Sequence, residues 1–581
     1  MKFLNLIFFG FIILSLTSCK EHLDRFPLDE ISTVDYWKTV NDLELYVNQF
    51  YPTVFPVSGS DRYEFIFEED RDGNDMAFAL AYPRLLGSRV VPGSGGWDYS
   101  SIRALNIFLA NYQTVDAEFE DYQRFVGEAH FFRAKLYFDL VKEYGAVPLI
   151  TEPLNTNSEG LYAPRTPRNE VIDYILSELD LAIEYLPSEI TEDRTRLSRG
   201  IALLFKSRVA LYEGTWEKYH AGSVFGVSNP DPDRYFSQAV EASETLINSG
   251  AYSIHNTGNP DWDYFMFGEV DYSNHSEVLL WKKYDVSLGL GHARMFQTAR
   301  GLSGGAGLTK SLIDSYLCTD GHPIFQSSGE KNVLYQGDDN LQLVVENRDL
   351  RMKQTVFTPG FPLQISEGDT TVFNRPVVEL PAHTKNTTGY QICKTLNFDP
   401  VHHASQTTSG VGYTGWVIMR YAEALLIYAE AKAELGIITQ NDLDKSINLL
   451  RTRVSMPDLV ISEIQVDPNW DFPELSPVIN EIRRERRIEL VAEGFRWDDI
   501  ARWAAADELI TNQRPLGAKF NNVNYPNLSA ENFNLTDGYF DPLKDQLPNG
   551  YGFNLQRDYL SPVSTEELTL NEALTQNPGW C

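Results

Sequence analysis

The stretch that decides the fold is "FVGEAHFFRAKLYFDLVKEYG" (125–145), followed after a gap by "RNEVIDYILSELDLAIEYLP" (168–187). In the second segment the apolar residues recur every three or four positions, which would place them in one stripe along a helix: Ile172, Ile175, Leu179, Ile183 and Leu186. The first segment ends at Gly145 and the second at Pro187, and both residue types commonly end helices. Together the two segments predict a pair of antiparallel amphipathic helices.

Two further pairs of segments repeat this pattern: 198–214 with 233–250, and 420–436 with 441–457. Their first members end at Gly214 and Gly436, where we expect the helices to stop. Repeated helical hairpins with small residues among large ones resemble tetratricopeptide repeats. We therefore predict a mainly α fold of tetratricopeptide-like hairpins, with long irregular loops and a few short strands. The alternative is an ordinary all-α protein built from unrelated antiparallel helices.

The stretches between and beyond these hairpins are rich in Gly, Pro, Asn and Asp, and they also carry many aromatic residues: 57–100, 253–310, 357–415 and 510–560. So many aromatic residues argue against flexible linkers. We predict long ordered loops with short strands, laid over a helical platform. Long ordered loops are where binding residues tend to lie.

The N-terminus has the form of an export signal. An apolar run from Phe3 to Leu16 is short for a membrane-spanning helix and suits a secretory signal. "SLTSC", which ends at Cys19, resembles the lipobox of bacterial lipoproteins. This resemblance implies a signal peptide at 1–18, a lipid on Cys19, and a mature chain of 19–581 that forms one compact unit. Each buried methylene of such a lipid contributes about 0.8 kcal/mol to membrane binding. An ordinary secreted protein is the alternative.

The composition narrows the possible ligands. The formal net charge of −32 argues against nucleic acid and anionic lipid. It also disfavours strongly anionic glycans, unless a local basic patch overrides it. Three cysteines besides Cys19 lie far apart, so the chain has no disulfide framework. Aromatic residues make up 13% of the chain, which makes an aromatic binding surface plausible.

Six islands of sequence, in order along the chain, resemble the SusD/RagB family: "GEAHFFRAKLYFDLVKEYGAVPLI" (127–150), "KSLIDSYLCTDGHPI" (310–324), "NRDLRM" (347–352), "RYAEALLIYAEAKAELG" (420–436), "EIRRERRIELVAEGFRWDDIARW" (481–503) and "YLSPVSTEELTLNEALTQNPGW" (559–580). The resemblance implies a surface-exposed lipoprotein of the outer membrane. Members bind glycans, or in some cases peptides, and cover a TonB-dependent transporter of the SusC type.

From this resemblance we expect an oligosaccharide or polysaccharide ligand, a SusC-like transporter as partner, membrane attachment through the lipid, and no enzymatic activity. Family members place the ligand on a loop-rich face of a tetratricopeptide-like platform. Three alternatives stay open: a glycoside hydrolase, a RagB-like peptide receptor, and a helical scaffold for protein partners.

The arginine-rich segment 481–503 is the most basic part of the chain. Arginines alternate with glutamates there, and Glu481–Arg484 and Arg486–Glu489 would lie one turn apart on a helix. The interleaved carboxylates cancel the positive field, so we predict a structural ion-pair network instead of an RNA or lipid patch. An apolar face should pack inward, formed by Ile488, Val491, Ala492 and Phe495.

The densest polar cluster is "EEDRDGND" (68–75), in a predicted loop. Its spacing fails as an EF-hand, because the glycine stands fourth and the twelfth position is Ala81. We predict a ligand-binding loop whose side chains pair with sugar hydroxyls: Arg71, Asp72, Asn74 and Asp75. A looser structural Ca²⁺ site and a solvated turn are the alternatives; we expect no other cofactor.

Two aromatic pairs are candidate sugar platforms. Trp97 and Tyr99 precede a predicted helix, and Trp281 and Tyr284 lie on a later loop or strand end. A flat ring can cover the apolar C–H face of a sugar, and a single such platform contributes roughly 1–2 kcal/mol. A core position is the alternative for each of the four residues.

Catalytic motifs are sparse. "GLSGG" (301–305) matches G-x-S-x-G but lacks the strand before it and the helix after it that a nucleophile elbow requires. The adjacent histidines His402 and His403 do not have the spacing of a zinc-binding helix. We therefore predict no catalytic residue and no metal ligand. A glycosidase needs only two carboxylates, which a sequence with 81 acidic residues cannot exclude.

Overall fold

A computed structural model describes residues 36–55, 67–188, 193–299, 304–366, 368–381, 384–406 and 408–580. The predicted signal peptide and Cys19 lie outside the described residues. So do Cys581 and positions 301–303 of the G-x-S-x-G sequence. Within the described part of the chain, no helix combines the length and the apolar character needed to cross a membrane.

Helices dominate the described chain: α1 (Val40–Asn48), α2 (Phe50–Val54), α3 (Pro83–Leu86), α4 (Ser100–Asn111), α5 (Phe119–Tyr144), α6 (Arg168–Tyr185), α7 (Arg199–Tyr219), α8 (Pro232–Asn248), α9 (Arg294–Ala299), α10 (Lys310–Ser315), α11 (Leu350–Lys353), α12 (Pro400–His403), α13 (Tyr421–Glu434), α14 (Gln440–Asp444), α15 (Ile447–Arg453), α16 (Pro477–Glu489), α17 (Arg496–Arg502), α18 (Ala506–Leu509) and α19 (Thr565–Leu570).

The strands are short: β1 (Met76–Phe78), β2 (Val278–Lys282), β3 (Ala306–Leu308), β4 (Pro362–Ser366), β5 (Asp369–Val372), β6 (Trp416–Arg420), β7 (Leu535–Thr536) and β8 (Tyr539–Phe540). They form antiparallel pairs, β1 with β3, β2 with β6, β4 with β5 and β7 with β8. β1–β3 and β2–β6 join segments that are far apart in sequence, whereas β4–β5 and β7–β8 are local hairpins. Among the described residues each pair is a two-stranded sheet.

The predicted helical hairpins are confirmed. α5 packs against α6, α7 packs against α8, and the two hairpins meet through α6 and α7. α8 then packs on α13, so the third hairpin continues the array even though about 170 residues of chain separate the two helices. The fold is therefore mainly α, with stacked helical hairpins as its platform.

Two boundaries differ from the prediction. α7 continues past Gly214 to Tyr219, because this glycine serves packing and not termination: a Cβ there would lie 2.8 Å from the Phe236 ring of α8. The last predicted helix, 441–457, is interrupted and forms α14 and α15. Gly145 and Gly436 do follow helix ends, and both have φ of +72°, the left-handed conformation that glycine favours.

Hydrophobic side chains gather in two principal cores. The larger core fills the helical array and includes Phe131, Leu204 and Leu426. The second core lies among the loops, where β1, β3 and α10 pack with segments around Val356 and Tyr525. The loop-rich part of the chain is therefore an ordered body with its own apolar interior, as its aromatic content predicted.

The ion-pair network predicted for the arginine-rich helix is confirmed, but most partners of α16 come from other elements. Glu481 and Arg484 pair within the helix at 3.4 Å, whereas Arg486 binds Asp499 of α17 at 2.9 Å. Glu489 faces arginines from three other segments (Arg351, Arg420 and Arg453) at 2.7–3.0 Å. Burial alone would raise the pKa of the Glu489 carboxyl, but these guanidinium groups hold it well below its usual range.

The apolar stripe predicted along this helix is wrong in its second half. α16 ends at Glu489, and Ala492 has a φ of +60°, so residues beyond 489 do not continue the helical spacing. Ile488 and Val491 are buried as expected, but Ala492 and Phe495 are only partly covered. The chain turns sharply here to begin α17.

Candidate functional site

A groove of about 490 Å³ opens between the start of α4, the segment after α5, and α19. Aromatic and aliphatic side chains line most of it, and a few polar groups stand among them: Trp97, Tyr99, Ser100, Ile102, Arg103, Asn106, Pro148, Ile150, Glu152, Leu154, Gly160, Leu161, Tyr162, Ala163, Glu567, Leu570, Asn571 and Leu574. A mostly apolar cleft with a few placed polar groups is the usual form of a small-ligand site. We call it the aromatic groove.

Trp97 is set by the two glycines before it. Gly95 and Gly96 have φ of +83° and +86°, a conformation that other residues rarely adopt. The carbonyl of Gly96 accepts a hydrogen bond of 2.7 Å from the Tyr144 hydroxyl, and a Cβ on Gly96 would lie 2.4 Å from that oxygen. This close approach brings the half-buried Trp97 ring to 5.1 Å from the Tyr144 ring.

Tyr99 caps the N-terminus of α4 and faces the same groove. Its hydroxyl donates a 2.7 Å hydrogen bond to the carbonyl of Pro148, which ties α4 to the segment after α5. Burial raises the pKa of this phenol well above its usual value, so Tyr99 stays a neutral donor. Its ring lies 6.4 Å from that of Trp97, with an angle of 32° between the planes. The structure thus brings the first predicted aromatic pair together in the groove.

Two buried amides hold the groove's walls in place. Asn106 of α4 donates to the carbonyls of Ile150 and Glu152 at 3.0 and 3.2 Å. Asn571, directly after α19, donates to the carbonyl of Ala163 at 3.0 Å. Because both amides bind backbone atoms, the groove is formed before any ligand arrives.

The rim of the groove carries the groups most accessible to a ligand. Tyr162 is 64% exposed, and Arg103 and Glu152 are exposed as well. Glu567 is half-buried, and burial, followed by the charge of Glu566, raises the pKa of its carboxyl. One arginine and two glutamates around an apolar floor can donate and accept hydrogen bonds without imposing a strong charge.

The predicted ligand-binding loop at 68–75 packs against α3 and the arginine-rich helices α16 and α17 instead of facing the groove. Asp72 accepts from Arg84 at 2.9 Å, Asn74 from Arg496 at 2.7 Å, and Asp75 from Arg487 at 2.7 Å. Asp75 is buried, and none of these loop residues is among those that line the groove. Burying carboxylates requires charged partners, and the arginines supply them.

Arg71 is the remaining member of that loop, and its guanidinium lies 4.7 Å from the centre of the Tyr82 ring. The carboxylates of the loop diverge: Asp70 accepts from the backbone of Gly494 and Asp72 from Arg84. Within the described residues, no cluster of three or more His, Cys, Asp or Glu side chains could hold a metal ion.

The second predicted aromatic pair lies in the protein interior. Trp281 is 1% exposed, in strand β2, and its indole N–H donates to the carbonyl of Asp193 at 2.7 Å. Tyr284 is also buried, with its ring 4.7 Å from that of His292. A covered ring has no face to offer a sugar, so these two residues have the core position that was the alternative for each aromatic.

Sequence alone did not predict three parts of the groove: Tyr162, Arg103 and the wall formed by 567–574. A signal existed for Tyr162, because it lies in the turn-rich stretch "NTNSEGLYAPRTP" (155–167), where an aromatic residue has little core to enter. Nothing local marks 567–574, because these residues reach the groove only through the tertiary fold.

Comparison with known proteins agrees with this architecture. The SusD family model matches residues 254–580, and a second model, described as "Starch-binding associating with outer membrane", matches residues 97–211. SusD-like protein P38 of Formosa agariphila is 25% identical over 536 residues, which cover 88% of this chain and 93% of the relative. SusD-like protein P2 of the same organism is 23% identical and covers 99% of both chains.

Solved structures share the fold. A SusD-like protein from Bacteroides fragilis, 24% identical, superposes with a TM-score of 0.70 over 96% of this chain and all of that chain. A SusD-like carbohydrate binding protein from the same species, 20% identical, has a TM-score of 0.69 over 93% of this chain and all of that one. The SusD family model covers more than half of the sequence, and the described fold agrees with it: this chain belongs to the SusD family.

Proposed function

We propose that this protein captures an oligosaccharide or polysaccharide in the aromatic groove and passes it, chemically unchanged, to a SusC-like TonB-dependent transporter. One observation carries the proposal. Trp97, Tyr99 and Tyr162 line a preformed groove of about 490 Å³ in which hydrogen-bonding side chains stand among apolar ones.

The physical basis is the two-sided chemistry of a sugar. Its C–H face is apolar and packs on aromatic rings, while its hydroxyls pair with groups such as Arg103 and Glu152. A single ring contributes roughly 1–2 kcal/mol at about 25 cal/mol per Å². Useful affinity therefore needs several rings and several hydrogen bonds together, and the groove offers both.

We propose further that a lipid on Cys19 holds the protein at the cell surface, on the outer membrane. The lipobox-like sequence supports this anchor, and the matched description "Starch-binding associating with outer membrane" agrees with it. Cys19→Ser should release the protein from the membrane fraction. Co-purification of the transporter with the wild-type protein, from detergent-solubilised membranes, tests the partner.

The decisive experiment compares two tryptophans. Glycans that bind the wild-type protein on an array are measured by isothermal titration calorimetry with Trp97→Ala and with Trp262→Ala. Trp262 is 43% exposed and lies outside the groove, so it is the matched control. We expect Trp97→Ala to weaken binding about tenfold, and Trp262→Ala to leave it unchanged. The reverse result would move the site away from the groove.

The same glycans distinguish capture from catalysis. After long incubation with purified protein, the reducing ends of each bound glycan are counted. We expect retention without new reducing ends; product formation would favour the glycoside hydrolase. A peptide library screened in parallel tests the RagB-like alternative, and peptide binding that Trp97→Ala abolishes would replace sugar by peptide as the ligand.

A further inference from the structure

A second cavity, of about 330 Å³, is lined by one face of the arginine-rich helix α16. α16 lines it with Asn480, Arg483, Arg484 and Arg487, spaced i, i+3, i+4 and i+7 and therefore on one helix face. Arg496 of α17 adds a fourth guanidinium. We call this cavity the arginine pocket; its other walls come from α10 and from residues 467–472.

The 68–75 loop and Ser311 of α10 fix two of these guanidinium groups by accepting hydrogen bonds from them. Arg487 donates to Asp75 at 2.7 Å and to the Ser311 hydroxyl at 2.6 Å. Arg496 donates through Nε to Asn74 at 2.7 Å. The loop predicted to touch ligand itself therefore fixes the position of two arginines.

After these contacts, some guanidinium N–H groups in the pocket still lack a hydrogen-bond acceptor within the described part of the chain. Arg487 Nη1 lies 3.7 Å and Arg496 Nη2 lies 3.9 Å from the same atom, Asp471 Oδ2, too far for a hydrogen bond. Arg496 is 5% exposed, and neither its Nη2 nor the Nε of Arg483 has a hydrogen-bond partner among the described residues. A buried donor without a partner is costly, so an acceptor that reached these atoms would be strongly favoured.

Carboxylates already balance the charge of most arginines in the pocket: Arg483 pairs with Glu434, Arg484 with Asp467 and Arg487 with Asp75. The N–H donors that lack an acceptor, and not a net positive charge, therefore favour an anion. Burial and then the neighbouring Arg487 lower the pKa of Arg496, while the carboxylates of Asp75, Asp471 and Asp499 act in the opposite direction. Asp471 is a weak internal counterion, because its side chain is 38% exposed and its carboxylate lies 3.7 Å or more from the guanidinium groups of Arg487 and Arg496.

We propose that the arginine pocket binds one oxyanion group, a carboxylate or a sulfate, on Arg487 and Arg496, with Asp471 displaced toward solvent. Guanidinium groups suit this ligand, because their paired N–H donors match the oxygens of a carboxylate or sulfate. The oxyanion group is either a substituent of a sugar or a small free anion. Trp470 and Phe325 also line the pocket and offer a ring surface to a sugar. The inference holds whether or not the aromatic groove binds glycan.

The test titrates the full soluble chain with sodium sulfate, sodium acetate and sodium glucuronate at constant ionic strength, by calorimetry. Arg496→Gln should weaken sulfate binding at least tenfold, because it removes a charged donor. Asp471→Asn should strengthen it about tenfold, because it removes the competing internal carboxylate. Arg234→Gln, in the first turn of α8 with a side chain that is 43% exposed, is the matched control and should not change anion binding.

The three anions separate the two sources. Glucuronate binding at least tenfold tighter than acetate supports a sugar-borne carboxylate, whereas equal affinities support a small free anion. Absence of binding by every anion, in the wild type and in Asp471→Asn, overturns the proposal, and so does binding that neither substitution changes. Because the side chain of Asp471 is exposed, we expect Asp471→Asn to fold. This variant therefore tests the proposed anion site even if Arg496→Gln fails to fold.

Discussion

Two tryptophan–tyrosine pairs of similar spacing, Trp97–Tyr99 and Trp281–Tyr284, have opposite surroundings in this molecule. The first pair lies in an irregular segment behind two glycines and lines the aromatic groove. The second belongs to a strand and its extension, covered on both faces. Aromatic residues in a loop-rich sequence therefore do not mark a surface by themselves; the backbone around them decides whether the ring stays accessible.

The residues that precede each tryptophan in the sequence already indicate this difference in exposure. Trp281 follows Val278, Leu279 and Leu280, and such a continuous apolar run is typical of a strand buried on both faces. Trp97 follows "GSGG" (93–96), which holds no apolar side chain and bends the backbone away from a strand. The residues that flank an aromatic side chain predict its exposure better than the aromatic residue itself.

Among the substitutions that test this comparison, Trp281→Ala should have the largest effect on the free energy of unfolding. Removing a fully buried tryptophan leaves a cavity and the carbonyl of Asp193 without its donor, so we expect a loss of about 3–5 kcal/mol in the free energy of unfolding. Urea denaturation measures it. Trp262→Ala removes a ring that is 43% exposed but contacts Phe361 and Phe398, so it should cost clearly less, about 1–2 kcal/mol. Equal losses in the two variants would contradict the contrast between core and surface.

A fall in pH should affect Glu430 in the core and Glu567 in the groove differently. Burial would raise the pKa of Glu430, yet Arg502, Arg486 and Arg483 lower it to about 2, below the ordinary value of 4.5. The ionised Glu430 carboxylate, paired with Arg502, therefore stabilises the fold fully above about pH 4.5. Its contribution to the free energy of unfolding, roughly 3 kcal/mol, is lost as the pH falls toward 2. In the groove, the raised pKa of Glu567 means that this carboxyl takes up its proton at higher pH.

Glu430→Gln tests that assignment. The variant should be less stable at pH 7, because Arg502 and the indole of Trp503 lose their buried carboxylate partner. Its stability should then fall less steeply than that of the wild type between pH 4.5 and 2. Urea titrations at several pH values measure both slopes, and parallel slopes would show that Glu430 is not the responsible group.

A smaller effect is expected at the groove's rim. Tyr162 is exposed, so Tyr162→Ala should cost little stability but remove one platform, and we expect a loss of about fivefold in glycan affinity. Calorimetry with the glycan identified for the wild type measures it. Tyr162→Phe keeps the ring and should retain most of the affinity; if it binds as poorly as the alanine variant, the hydroxyl and not the ring face contacts the sugar.

The smallest effect should come from Tyr99→Phe. This substitution keeps the ring but removes the hydrogen bond to Pro148, which is worth about 0.5–1.5 kcal/mol of stability. Glycan affinity should change less than twofold, because the ring stays in place. A large loss of affinity with unchanged stability would mean that the hydroxyl contacts ligand instead of the backbone.

Much of the fold was predictable, because its signals are local. The stripes of α6 and the helix ends near Gly145 and Gly436 follow from spacing and residue type alone. Gly214 was misassigned because a glycine that ends a helix and one that lets a neighbouring helix approach look alike in sequence. The break between α14 and α15 likewise has no strong local breaker.

The candidate site was only partly predictable. Trp97 and Tyr99 could be selected because they stand in a glycine-rich segment before a helix. The acidic loop at 68–75 looked solvent-facing because two of its partners, Arg487 and Arg496, are distant in sequence. Long-range pairing of charges has no local signature, and the same limit hid the wall formed by 567–574.

The hydrogen bond from Asn571 to Ala163 spans 408 positions of sequence. One wall of the groove is thus synthesised long after the other, and the cleft cannot exist while the polypeptide is still emerging. A ligand that contacts both walls can therefore bind only after both have folded. A bound sugar would in turn protect the entire folded chain against heat, since it can engage only the finished form.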